Sequence, residues 1–137
     1  MKPLFLDTSF AVALNASDDQ SHRYAVDGWQ AVVSQRRRLL TTTFILDEAV
    51  TLLNARGLHG LAVAVGTQLI QSPAVTLLHV DAKLLERGWA YFCRHADKRY
   101  SLTDCISFVV MQERGLRQAL TFDQHFSQAG FEALPVI

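Results

Sequence analysis

Short runs of strand-forming residues alternate along this chain with longer stretches of helical periodicity, and that alternation limits the fold more than any other feature. PLFLD, LLTTT, VTLLHV and QALTF read as strands, and FEALPVI offers a last strand at an edge. Helical patterns fill the intervals. Residues 9–15 form a short helix. Asp18-Asp19 opens an amphipathic one whose apolar residues include Tyr24, Trp29, Val32 and Val33, and which ends at Arg36-Arg37-Arg38. FILDEAVTLLNARG stops at Gly57, and residues 58–71 are broken by Ser72-Pro73. DAKLLERGWAYFCRHA precedes the loop DKRYS, LTDCISFVVMQERG ends at Gly115, and DQHFSQAG closes at Gly130. This alternation predicts an α/β fold with a mainly parallel central sheet of four to five strands. Right-handed crossovers put helices on both faces, giving a three-layer α/β/α sandwich. Ligand sites in such sheets lie at the carboxyl ends of strands, so the residues that follow strands carry the functional weight.

With 137 residues, no low-complexity stretch and no Pro/Gly/Ser-rich linker, residues 1–137 read as one domain. Half the residues are hydrophobic and 19% are charged, enough to bury a core. Thirteen Lys and Arg balance thirteen Asp and Glu, so no global basic field marks a nucleic-acid binder; such binding needs a local patch or a metal site. Cys93 and Cys105 stand apart in different helical patterns, and the five histidines show no HxxxH, which argues against a zinc site. The apolar run before Asp7 is too short for a signal-peptide core, and no later segment is apolar for long enough to span a bilayer. The expectation is a cytoplasmic protein with reduced thiols.

Four acids occupy comparable places. Asp7 ends the first strand in LFLDTS, and Asp123 follows the fourth in LTFDQHF; each is also placed to cap a helix. Glu48 lies three residues after Ile45 and four before Leu52, on the stripe Ile45, Ala49, Leu52, Leu53, whereas Asp47 lines up with Thr51 and Asn54 on a polar face. Asp104 begins a nearly all-apolar helix, and Ser101-x-x-Asp104 also fits a capping box. Four converging carboxylates repel one another unless a cation neutralises them, and Mg²⁺ suits such oxygen ligands. Hydroxyls at Thr8, Ser9, Ser101 and Thr103 are placed to orient water or ligands.

FLDTS, TTTFILDEAV, SLTDCISFVV and LTFDQHF, in that order and at this chain length, resemble the PIN domain, and within it the small VapC-type toxins of bacterial toxin–antitoxin pairs. The resemblance implies a metal-dependent endoribonuclease in which Asp7, Glu48, Asp104 and Asp123 form an acidic quartet around Mg²⁺ or Mn²⁺. It implies supporting polar roles for Thr8, Ser101 and Thr103. It also implies in-line attack of water that leaves a 5′-phosphate and a 3′-hydroxyl. Asp123 is the least uniform member of such quartets. Between Asp47 and Glu48, the stripe favours Glu48.

Charge for an RNA substrate has two local sources: Arg36-Arg37-Arg38, and Lys98-Arg99-Tyr100 just before Asp104, where Tyr100 would stack a base. The stretch from Leu58 to Ile70 is apolar almost all round and calls for cover on two sides, by core or by a second subunit. The resemblance implies a homodimer and a cognate antitoxin that covers the active-site groove. It leaves open a PIN-domain nuclease of RNA processing and a catalytically inactive PIN-like binding module. A phosphotransfer receiver domain needs an acidic pair after its first strand and a Lys after its last, and a haloacid-dehalogenase-type phosphatase needs Asp-x-Asp. LFLDTS and FEALPVI supply neither.

Overall fold

Leu4, Phe5 and Leu6 are all buried, but they serve different cores. Leu4 and Leu6 pack with Phe10, Val12, Leu53 and Leu69, while Phe5 packs with Leu40, Ile106, Phe108 and Phe126. A strand sends alternate side chains to opposite faces, so a strand this apolar needs cover on both. The computed structural model, which describes residues 1–137, provides it. Strands β1 (Leu4–Leu6), β2 (Leu39–Thr42), β3 (Val75–Leu78), β4 (Gln118–Leu120) and β5 (Glu132–Leu134) form one sheet in the order β3-β2-β1-β4-β5. Every neighbouring pair is parallel. The expected α/β/α sandwich is therefore present, with five strands and a wholly parallel sheet.

Helices α1 (Thr8–Asn15), α2 (His22–Ser34), α3 (Thr43–Ala55) and α4 (His59–Gln71) supply one core; α5 (Ala82–Arg94), α6 (Leu102–Glu113) and α7 (Gln124–Gln128) supply the other. Helix α3 reaches both, with Ala49 and Leu53 in the first and Ile45 in the second. Both cysteines are free thiols, and no helix is long and apolar enough to cross a membrane.

Several expected boundaries shift for local reasons. Asp18-Asp19 does not open α2: Asp19 accepts the Ser21 N–H at 2.9 Å in a turn, and the helix begins at His22. The helix ends at Ser34 because Arg36 has a φ of 53°, a left-handed conformation incompatible with helix. Of its apolar residues, Val32 is buried and Trp29 packs against the core, but Tyr24 and Val33 are exposed. On α3 the buried stripe is Ile45, Ala49 and Leu53, and Leu52 points outward. Helix α4 buries Ala62, Val65, Gly66 and Leu69 but leaves Val63 and Ile70 exposed, so the chain covers only one of its apolar sides.

Gly88 fixes how closely α5 approaches α6. A Cβ at that position would overlap the Ile106 side chain, two residues beyond Asp104. Gly88→Val should therefore destabilise the fold by about 1–3 kcal/mol through overpacking, measured by urea unfolding.

Candidate active site

The strand order reverses between β1 and β4, so the crevice at the carboxyl ends of these two strands is the topological switch point of the sheet. Asp7 and Asp123 flank it. Asp7 is the N-cap of α1 and is almost fully buried. Its Oδ2 accepts the Ser9 hydroxyl at 2.7 Å, the Thr121 hydroxyl at 2.8 Å and, more weakly, the Ser9 N–H at 3.4 Å. The same hydroxyls accept in turn: Ser9 Oγ from the Phe122 N–H at 2.9 Å, and Thr121 Oγ1 from the Asp123 N–H at 3.0 Å. One carboxylate oxygen thus ties the end of β1 to the loop after β4, and all three hydrogen bonds fall on Oδ2 rather than Oδ1.

Asp104 and Asp123 approach from two more helix starts. Ser101 caps α6, accepting the Asp104 N–H at 2.9 Å and returning its own N–H to Asp104 Oδ2 at 3.1 Å, which completes the expected capping box. Asp123 caps α7 by accepting the His125 N–H at 2.9 Å. Each of these acids is tied into a helix start. His125 lies between them, its Nδ1 2.9 Å from Asp104 Oδ2 and 3.3 Å from Asp123 Oδ1. One ligand atom from each of Asp104, Asp123 and His125 lies within 4.8 Å of the others.

Electrostatics follow from this crowding. Burial raises the Asp7 carboxyl from 3.8 to about 6; the Ser9 and Thr121 hydroxyls pull the other way, and the charges of Asp104 and Asp123 push it up further. Asp104 is raised mainly by burial, against its bond from the Ser101 backbone, and Asp123 adds to the rise. A divalent cation relieves both strains, since carboxylate oxygens are its ordinary ligands. The residues fit a divalent cation: Asp104, Asp123 and His125 would hold it, and the Asp7 carboxyl is near enough to feel the charges of both acids.

The other expected residues are placed less uniformly. Glu48 is half-buried in the second turn of α3 and is not part of the Asp104–Asp123–His125 cluster. Asp47 is exposed, as the stripe required. Thr8 is buried, with its Oγ1 left without a hydrogen-bond partner. Thr103 is half-buried, and Lys98 and Arg99 are exposed at the loop before α6. Tyr100 is not free to stack a base: it is 6% exposed, with its ring against Tyr91, Phe108 and His125. The Arg36-Arg37-Arg38 triplet precedes β2, at the amino edge of the sheet and so at the opposite end from the acids. There Arg37 donates to the Lys2 carbonyl at 2.8 Å and Arg38 to the Pro73 carbonyl at 2.8 Å. Sequence reading missed His125 and Thr121. The signal for both was their place within two residues of Asp123, in the post-strand loop already singled out.

Fold and site together define the class. Residues 4–132 match the PIN domain, and the chain belongs to that family. It is 39% identical over 128 residues, 93% of this chain and 95% of the relative, to the "23S rRNA-specific endonuclease VapC20" of Mycobacterium tuberculosis. The crystal structure of that VapC20, described as a sarcin–ricin loop cleaving toxin, superposes with a TM-score of 0.85 at 38% identity, covering 93% of this chain and 95% of that one. FitAcB from Neisseria gonorrhoeae shares the fold at 17% identity, with a TM-score of 0.62 and 95% of each chain covered.

The raised Asp7 carboxyl makes the metal-free fold sensitive to pH. A carboxyl that titrates at about 6 when folded and 3.8 when unfolded costs stability once ionised; the cost grows across that window and is complete above it, at about 3 kcal/mol. In EDTA, Asp7→Asn should melt above the wild type at pH 7.5, and the gap should close as pH falls to 4. Calorimetric scans at both pH values measure the difference.

Proposed function

We propose that this chain is a Mg²⁺- or Mn²⁺-dependent endoribonuclease, a single domain acting in the cytoplasm as the toxin of a type II toxin–antitoxin pair. The observation that carries this is the convergence of Asp7, Asp104 and Asp123 from three helix starts on the switch point of a parallel sheet. The VapC20 relative supports 23S rRNA as the substrate, with the sarcin–ricin loop as the segment cut.

A bound divalent ion supplies charge neutralisation at the phosphodiester and a more acidic water. The chain's own residues do the rest. Asp7, Asp104 and Asp123 present oxygens held by hydrogen bonds made before any ligand arrives, so little reorganisation is needed. Glu48 completes the quartet from the neighbouring helix. Ser101 and Thr103 support Asp104 at the start of α6, and Thr8 offers an unpaired hydroxyl beside Asp7. Lys98 and Arg99, exposed next to the site, suit the phosphates flanking the cleaved bond.

A homodimer accounts for the uncovered side of α4. Val63 and Ile70 face outward beside a groove of about 440 Å³ that α3 and α4 line together. A cognate antitoxin is the remaining partner, expected to cover the carboxyl-edge crevice and hold the nuclease silent.

Two experiments test this reading. Antitoxin-free protein should cut a sarcin–ricin loop RNA with Mg²⁺ or Mn²⁺ and stop with EDTA, and Asp7→Asn or Asp104→Asn should lower the rate about a thousandfold or more. Cutting that survives in both variants would overturn the site. Sedimentation should show a dimer that Ile70→Asp converts to monomer, because a charge there cannot be buried unpaired.

A further inference from the structure

We propose that His125 is a nitrogen ligand of the metal ion at this site, which biases the centre toward Mn²⁺ over Mg²⁺. The inference rests on the metal-dependent reading above and goes past it, since the acidic quartet has oxygen donors only.

Spacing is the first argument. Octahedral coordination with bonds of about 2.1 Å separates neighbouring donors by about 3.0 Å. His125 Nδ1 stands 2.9 Å from Asp104 Oδ2 and 3.3 Å from Asp123 Oδ1, the separations expected of adjacent donors on one ion. Neither Asp7 nor Glu48 has an atom in that cluster, so the imidazole is the third donor there beside Asp104 and Asp123.

The second argument is that the ring is held in place. His125 donates its backbone N–H to Asp123, so the residue is anchored to one of the acids it faces. Tyr100 lies edge-on to the imidazole at 5.4 Å and 75°, and Tyr100 itself is buried against Tyr91 and Phe108. The burial that removes Tyr100 from base stacking gives it this job: it fixes the plane of the ring, so that Nδ1 is the nitrogen turned to the acids. Nδ1 and Asp104 Oδ2 share a proton in a hydrogen bond of 2.9 Å; a cation at that place would take the proton's position, leaving the ring proton on Nε2 and the Nδ1 lone pair turned to the same centre as the two carboxylates.

Metal preference follows from donor type. Mg²⁺ favours oxygen ligands and sheds water reluctantly, whereas Mn²⁺ stands closer to the metals that imidazole suits. A residue that merely steadied the acids from outside would leave both ions with oxygen donors.

Pulsed electron paramagnetic resonance on the full chain loaded with Mn²⁺ separates these cases. The expected result is modulation from a directly bound imidazole nitrogen. It should change on incorporation of ¹⁵N-histidine, which needs no variant, and vanish in His125→Asn. Calorimetric titration with each ion should show the Mn²⁺-to-Mg²⁺ affinity ratio falling about tenfold in that variant. Bound Mn²⁺ with oxygen donors only, or nitrogen modulation that persists in His125→Asn, overturns the nitrogen ligand and leaves the metal-dependent reading standing. Failure of the wild type to bind either ion overturns both.

Discussion

The carboxylate of Asp7 is the point on which the structure turns. It sits at the end of the central strand, nearly out of reach of water, where an unpaired charge is unfavourable by several kcal/mol. Two hydroxyls offset part of that cost, and they come from Ser9 on α1 and from Thr121 beyond β4. The same bonds close the crevice between β1 and β4, so satisfying the buried charge and shaping the site are one event. The compensation is incomplete, which is why the group titrates near 6.

Helix starts are the second element of the design. Free N–H groups at the starts of α1, α6 and α7 need acceptors, and Asp7, Ser101 with Asp104, and Asp123 provide them. Carboxylates used this way are held by the backbone rather than by flexible neighbours.

Charge is distributed along the strand axis. Asp7 and Asp123 lie at the carboxyl edge of the sheet, and Arg36, Arg37 and Arg38 precede β2 at the amino edge, where Arg37 and Arg38 donate to main-chain carbonyls. Lys98 and Arg99 are exposed basic residues on the loop that leads into α6 and Asp104.

Local pattern was enough for the sheet, its parallel character and the helix-start positions of three acids, because each is written in contiguous residues. Apolar strands followed by Asp7 and Asp123 announce their own place at the carboxyl edge, and Ser101-x-x-Asp104 announces a helix start. Helical periodicity separated Asp47 from Glu48 but could not say how far Glu48 stands from the rest, since that depends on where α3 leaves the sheet. It also misjudged Leu52 and Tyr24, whose exposure is set by which neighbours happen to cover a helix flank. Tyr100 looked like a surface aromatic beside two cations and is instead walled in by Tyr91 and Phe108, which only packing could bring to it. His125 and Thr121 gain their meaning across more than a hundred residues in one case and twenty-one in the other, through contacts with Asp7 and Asp104. The sequence determined which carboxylates the strands deliver, because strand and cap are local physics. Tertiary structure alone decided which hydroxyls and which imidazole meet them, because those contacts exist only once β1 and β4 lie side by side.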